Sequence, residues 1–188
     1  MPNVAIVTDG VADLPPQVAE EAGIIVVPLV VRFGTDLYRD GLDLSPDQFY
    51  EKLKTSKVLP ATSVPPPAAF ADAYDKLAEK ANEIVVISLT SKLSATYQVA
   101  LQAVGLMKKR CRVEVLDSQW AVMAQGFITI AAAKAAQSGA SLDEVLDVAR
   151  HTIHRVDMRA AFDTLEYLEH GGRIGKAQAF LGSLLKVN

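Results

Sequence analysis

Cysteine is almost absent from this chain of 188 residues, because Cys111 is its only one. A single cysteine excludes a disulfide framework and a cysteine-based metal cluster, and it fits a reducing compartment. The excess of one sign of charge is also small: the net charge is −3, and no run of basic residues is longer than Lys108–Arg110. The composition therefore predicts no general attraction to nucleic acid or to an anionic membrane. We expect the basic triplet to close a helix, where cations complement the helix dipole.

The short motifs of common catalytic and nucleotide-binding sites are also missing. No G-x-G-x-x-G follows the first predicted strand, and Gly175-Lys176 lacks the upstream glycine of a Walker loop. No G-x-S-x-G turn offers a hydrolase nucleophile. His151 and His154 could share a helical face as metal ligands do, but no third ligand accompanies them. A solvated helix surface is the better interpretation, and we expect no metal and no cofactor.

Long hydrophobic runs are lacking as well. The very apolar segment Trp120–Ala133 is interrupted by polar residues and falls short of a bilayer span, so it predicts a buried helix. The amino-terminal segment reaches Asp9 too soon for a signal peptide. We therefore expect a cytoplasmic protein without a membrane anchor.

Short apolar strands alternate with helical patterns along most of the chain. Continuous apolar runs are typical of strands that are buried on both faces of a sheet. Capping boxes that begin at Ser45 and Ser141 mark two helix starts. The alternation predicts an α/β fold, a parallel sheet flanked by helices. The strands of this sheet are predicted at Val4–Thr8, Ile24–Val31, Ile84–Ile87 and Val113–Leu116.

The segments between these elements carry less regular signals. Pro28 lacks a ladder donor and marks a bulge or an edge within its predicted strand. Arg32–Gly41 is typical of a turn-rich excursion, and residues 60–67, PATSVPPP, predict a stiff loop. We expect the helix after the third strand to run from Ala95 to about Lys109.

The organisation of the chain changes near Val156. Residues 1–155 are predicted to form one α/β domain, and Arg159–Phe162 is predicted to be the first strand of a separate unit. Residues 156–188 are too few to build a second core, so we interpret them as the incomplete beginning of a second domain.

The segment after the third strand, residues 88–97, is rich in hydroxyls at a point where the sequence pattern predicts the start of a helix. The carboxyl ends of parallel strands face the ligand crevice, and a helix start offers unpaired N–H groups. Hydroxyls and amides at one such point suit a carboxylate or a phosphate. Asp9 and Asp117-Ser118 follow neighbouring strands and are expected at the same edge.

Two other functions remain open at this point. A small α/β hydrolase or transferase could use Ser94 or Ser91 as nucleophile, with Asp9 or Asp117 and a histidine. The same helix start could instead serve a phosphate- or sugar-acid-binding module. All three histidines fall late in the chain, away from the predicted strand exits, which counts against a triad.

Five segments, taken in order, resemble the signature segments of the DegV family of bacterial fatty-acid-binding proteins. The resemblance extends over the whole chain, and the order of the segments is specific. They are TDGVADLP (8–15), PATSVP (60–65), SLTSKLSATY (88–97), VLDS (115–118) and LEYLEHGGRIGKAQAFLGSLLKVN (165–188). The resemblance implies a Rossmann-like amino-terminal domain and a protein that performs no chemistry itself. It would bind a long-chain fatty acid and present it to a separate fatty acid kinase subunit, which makes the acyl phosphate used in phospholipid synthesis.

The same resemblance implies a set of ligand-binding residues. Thr62 and Ser94 match the family residues that hydrogen-bond the carboxylate, with Ala95 beside the serine and Arg173 near the head group. Supporting residues are expected among the polar neighbours of this set. They are Asp9, Ser63 and Ser91.

Two positions depart from the family pattern. Ala95 stands where the family usually has glycine, which makes a close approach of the ligand to the backbone harder. Gly10 stands where the family usually has serine, so a hydroxyl role there is lost. Family members are also longer, and a further histidine of their second domain contacts the ligand.

Overall fold

The computed structural model of the chain describes residues 3–181. Its strands are β1 Val4–Asp9, β2 Ile24–Val27, β3 Val30–Phe33, β4 Asp36–Arg39, β5 Ala61–Ser63, β6 Glu83–Ser88 and β7 Arg112–Asp117. Its α-helices are α1 Pro16–Glu21, α2 Pro46–Thr55, α3 Pro67–Leu77, α4 Thr96–Val104, α5 Val122–Gln137, α6 Leu142–Ile153, α7 Glu166–His170 and α8 Ile174–Leu181. A short 3₁₀ turn, Gly10–Ala12, follows β1.

The main sheet has the strand order β2-β1-β6-β7, and each neighbouring pair is parallel. The predicted α/β fold is therefore confirmed. The carboxyl ends of these strands lie along one edge of the sheet, since Asp9 is paired with Val27 and Ser88 with Asp117. This common edge brings the polar residues that follow the strands close together.

Helices cover both faces of the sheet because successive strand residues point to opposite faces. On one face, Val4 and Ile6 pack with the buried side of α5 and α6. On the other, Ala5 and Val7 pack with Phe70 and other side chains of α3 and α4. The continuous apolar runs of the central strands follow from burial on both faces.

The prediction of one strand over Ile24–Val31 is wrong. The chain leaves the main sheet after Val27, and Val30 begins a strand of a second, antiparallel sheet with the order β4-β3-β5. Pro28 lies at the break because it has no N–H with which to continue the parallel ladder.

The second sheet also corrects two loop predictions. The excursion over Arg32–Gly41 contains the end of β3, the whole of β4 and the turn that joins them into a hairpin, where Gly34 has a φ of 61°. The proline-rich segment 60–67 contains β5, which pairs with β3. Phe33 and Val31 pack with Leu44 in a small core of this sheet. Strands of three or four residues show too little alternation to stand out in a sequence.

The helix predicted from Ala95 to Lys109 begins close to its expected start but ends at Val104. Gly105 follows as the cap residue, and the chain then turns. The amides of Lys108 and Lys109 donate to the Asp75 carboxylate at 3.0 and 2.9 Å. The basic triplet therefore lies in a turn beyond the helix and does not close it.

The strand predicted at Arg159–Phe162 is also wrong, because residues 156–165 carry neither helix nor strand. A strand needs a ladder partner, and none of the described residues pairs with this segment.

Both predicted capping boxes are confirmed. The Ser45 and Ser141 side chains accept from the backbone amides of Gln48 and Glu144, whose side chains accept from the amides of the two serines in return. Within residues 3–181, no helix is long and apolar enough to cross a bilayer.

The centre of α5 lies against the turn that follows β1. A Cβ built on Gly126 would lie 2.7 Å from the carbonyl oxygen of Ala12 and 3.1 Å from the Leu14 side chain. Only a residue without a side chain permits this approach. Gly126 therefore sets the distance between α5 and the carboxyl edge of the sheet.

Replacing Gly126 by Ala should destabilise the fold by about 1–3 kcal/mol, because the new methyl group overlaps backbone that cannot move freely. Urea unfolding measures the change. Gly105→Ala is the matched control, since its new Cβ would meet only the Gln102 carbonyl, at 3.5 Å. Equal stability of the two variants would contradict the tight contact.

Candidate functional site

The loop between β6 and α4 is held by three acceptors that come from neighbouring strand ends. The amide of Leu89 donates to Asp9 Oδ2 at 2.8 Å, and the amide of Ser91 donates to Asp117 Oδ2 at 3.1 Å. Between them, the amide of Thr90 donates to the Trp120 carbonyl at 3.0 Å. Polar residues at strand exits thus position this loop, as the sequence predicts for the edge of the sheet.

Asp9 is fully buried and ties β1 to β6. Its Oδ2 also accepts from Ser88 Oγ at 3.1 Å, and its Oδ1 accepts from the amide of Val11 at 3.1 Å. Burial raises the pKa of this carboxyl above its usual range, and the hydrogen bond from Leu89 works against that rise. Asp9 is saturated by donors of the protein itself, so its role is to hold the loop.

The expectation of free amides in this loop needs correction. Leu89, Thr90 and Ser91 donate to the acceptors above, and the amides of Leu93 and Ser94 donate to the Thr90 carbonyl. Within the described chain, the amides without an acceptor come later. They are those of Ala95, Tyr97 and Gln98. The available donors therefore belong to the first turn of α4 and not to the loop before it.

Ser94 lies directly before Ala95, the N-cap residue of α4. Its Oγ accepts from the amide of Thr96 at 3.3 Å and lies 2.9 Å from Thr96 Oγ1. Ser94 is half-buried, and Ala95 beside it is exposed. An anionic oxygen at this point would meet one hydroxyl and the unpaired amides of the turn.

Thr62 lies in β5, on the second sheet, which meets the first at the same edge. Gly10, next to Asp9, lies beside Leu29, with 3.4 Å between its ideal Cβ position and the Leu29 amide. Val30 follows and pairs with Ser63. These contacts bring β5 to the carboxyl edge of the main sheet. Thr62 and Ser63 are both exposed there.

A cavity of about 530 Å³ brings two of the predicted site residues together. Thr62 and Arg173 both line it, and so do Arg32 of β3 and His170 of α7. Arg173 donates a hydrogen bond from its Nη1 to the Gly171 carbonyl. The cavity therefore joins a hydroxyl with two guanidinium groups, which suits an anionic ligand.

A second, apolar cavity of about 300 Å³ adjoins the first. Aromatic and aliphatic side chains of α2 form its wall: Phe49, Tyr50 and Leu53. The two cavities share four lining residues: Leu59, Pro60, Tyr167 and His170. A compartment that suits an anion, next to an apolar one, is the arrangement that an amphiphilic ligand requires.

The described cavities do not bring all predicted residues together. Ser94 and Ala95 do not line the cavity at Thr62, and the exposed Ser91 contributes its amide to Asp117. Arg32 and His170 were not among the predicted site residues. The pairing of β3 with β5 places Arg32 next to the strand of Thr62, and the placement of α7 brings His170 to the same cavity. His151 and His154 belong to the end of α6, and no cluster of three potential metal ligands occurs among residues 3–181.

Comparison with known proteins gives one consistent family. Residues 3–188 match the family model described as "Uncharacterised protein, DegV family". A DegV domain-containing protein of Halalkalibacterium halodurans is 40% identical over 188 residues, and Protein DegV of Bacillus subtilis is 36% identical over 187 residues. The chain is covered to 100% and 98% in these two matches. It spans about two thirds of the length of these relatives, 66% in each case.

Solved structures give the same result. The chain is similar to the crystal structure of DegV, a fatty acid binding protein from Bacillus subtilis, with a TM-score of 0.86 and 32% identity over 100% of this chain and 66% of that one. It is also similar to a fatty-acid-binding DegV family protein from Thermus thermophilus, with a TM-score of 0.80 and 34% identity over 97% of this chain and 65% of that one.

Two carboxyls of this chain should titrate on opposite sides of the ordinary aspartate value of 3.8. Burial raises the pKa of Asp9, whereas hydrogen bonds from Arg39 lower the pKa of exposed Asp43 to about 2. A carboxyl-detected NMR titration measures both midpoints in one sample. Since the folded chain binds the Asp9 proton more readily, this group should raise the free energy of unfolding as the pH falls through its midpoint. An Asp9 midpoint below 3.8 would contradict the burial argument.

Proposed function

This chain belongs to the DegV family, and from that premise we propose that it binds a long-chain fatty acid and presents the carboxylate to a partner kinase. The acid is held as a ligand, and the chain itself contributes no catalytic step. The kinase would phosphorylate the carboxylate with ATP, and the acyl phosphate would enter phospholipid synthesis. A cytoplasmic location fits this role.

The observation that carries the proposal is the pair of adjoining cavities. Thr62, Arg32 and Arg173 offer a hydroxyl and two cations in one, while Phe49 and Leu53 offer apolar surface in the next. A carboxylate loses much of its hydration in such a site, and this loss is costly unless protein donors replace the water. Charge-assisted hydrogen bonds are donors of this kind. Each buried methylene of the tail adds about 0.8 kcal/mol, so long acyl chains are favoured.

Ser94 and Ala95 are proposed as the second group of carboxylate donors. The Ser94 hydroxyl and the Ala95 amide lie in the turn whose amides have no acceptor within the described chain. Asp9 and Asp117 support them by holding the preceding loop. The solved relatives that are described as fatty-acid-binding proteins support the same class of ligand.

The geometry favours this proposal over a serine hydrolase. A nucleophilic serine needs a base within hydrogen-bond reach. The described hydrogen-bond partner of the Ser94 hydroxyl is Thr96, and Asp9 accepts from Leu89, Ser88 and Val11 instead. These bonds suit a serine that donates to a bound anion.

Thr62→Ala and Ser94→Ala should each weaken palmitate binding by about 1–3 kcal/mol, because each leaves a carboxylate oxygen without its donor. Isothermal titration calorimetry on the delipidated chain measures the change. Ser138→Ala is the control, since that exposed hydroxyl donates to the Lys134 carbonyl at the far end of α5. Unchanged affinity in the double variant would remove both residues from the site.

The identity of the ligand and the role of the kinase are tested separately. Mass spectrometry of lipid extracted from the purified chain should find a long-chain fatty acid in near-stoichiometric amount. Addition of a fatty acid kinase catalytic subunit and ATP should then consume ATP only when palmitate is bound. A co-purified phosphate ester or sugar acid would favour the phosphate- or sugar-acid-binding module, and palmitate that stays unphosphorylated would remove the kinase from the proposal.

A further inference from the structure

Ser94 has a buried neighbour that determines where its proton can point. The Thr96 side chain is fully buried, and its hydroxyl lies 2.9 Å from Ser94 Oγ. No other described group hydrogen-bonds that hydroxyl. An unpaired hydroxyl in the interior costs free energy. The bond between the two hydroxyls is therefore a stable part of the site.

The direction of this bond follows from counting donors and acceptors. A serine oxygen donates one hydrogen bond and accepts two. The amide of Thr96 already donates to Ser94 Oγ, at 3.3 Å. If the Thr96 hydroxyl donates as well, both acceptor positions are occupied and the Ser94 proton must point elsewhere. If Ser94 donates to Thr96 instead, it has no proton left for a ligand.

A bound carboxylate selects between these two arrangements. An ionised carboxyl group is an acceptor only, so it stabilises the arrangement in which Ser94 donates outward. We propose that Thr96 is a positioning residue: its hydroxyl donates to Ser94 Oγ and so directs the Ser94 proton toward the head group of the ligand. This inference rests on the proposed role of Ser94 in carboxylate binding.

Donation from Thr96 to Ser94 should strengthen the hydrogen bond from Ser94 to the ligand as well as direct it. Hydrogen bonds in a row polarise one another, so a serine that accepts from Thr96 becomes a better donor. The gain is larger for a charged acceptor than for a neutral one, because charge-assisted bonds are the stronger class. Thr96 should therefore matter more for a fatty acid than for its methyl ester.

The test compares Thr96→Val and Thr96→Ala, which remove the hydroxyl, with Thr96→Ser, which keeps it. Palmitate and methyl palmitate are titrated into each delipidated variant by calorimetry, and urea unfolding reports stability. Loss of one neutral hydrogen bond should weaken palmitate binding about threefold to tenfold in the Val and Ala variants. Thr96→Ser should keep the wild-type affinity for palmitate. The affinity for methyl palmitate should fall less than that for palmitate in the Val and Ala variants. The Ala variant keeps the test valid if the extra methyl of Val crowds Ser94.

Thr129→Val is the matched control, since Thr129 is also fully buried and its hydroxyl donates within α5, to the Gln125 carbonyl. It should leave palmitate affinity unchanged. Wild-type affinity in Thr96→Val and Thr96→Ala, with lost affinity in Ser94→Ala, would overturn this inference alone. Equal losses in the Ser and Val variants would also overturn it, because the hydroxyl would not be the cause. Failure of the wild-type chain to bind palmitate would overturn the proposed function as well.

Discussion

The site depends on one buried carboxylate that joins two strand ends. Asp9 takes the amide of Leu89 on one side and the amide of Val11 on the other, so the exits of β6 and β1 have a fixed separation. Taking this group out of water is costly, and its donors offset the cost only while their geometry is kept. Gly126 adds a second constraint, because it holds α5 against the turn after β1. A ligand at this edge therefore meets a rigid frame.

Two kinds of donor face the proposed ligand, and they act over different distances. Arg32 and Arg173 are exposed, so their attraction for an anion reaches into solvent and is screened over about 10 Å at 0.1 M salt. In the proposed site the Ser94 hydroxyl would act only at contact, with the buried Thr96 hydroxyl 2.9 Å away to direct its proton. The cations therefore suit capture of the head group, and the hydroxyls suit its final orientation.

The sequence predicts an element correctly where a local pattern determines it. Prediction from the sequence fails where several elements must come together. The apolar run Val4–Thr8 predicts a central strand because both faces are buried. Pro28 predicts a bulge or an edge within one strand, yet it separates two sheets, and only the pairing of β3 with β4 and β5 makes that visible. Arg32 reaches the cavity of Thr62 through the pairing of β3 with β5, and His170 through the placement of α7, and no local pattern encodes either. Thr96 belongs to the hydroxyl-rich segment from the start, but its burial is a property of the fold.

The two departures from the family pattern can be judged from the backbone. Ala95 has a φ of −82° and a ψ of 5°, a conformation open to any residue, so the turn itself does not require glycine. A glycine at this position would serve the approach of a ligand and not the conformation of the chain. At Gly10 an added Cβ would lie 3.4 Å from Leu29, at the short end of ordinary van der Waals contact. A serine would fit there with a small adjustment, so the hydroxyl missing from this chain is a difference in the available donors and not in the fold.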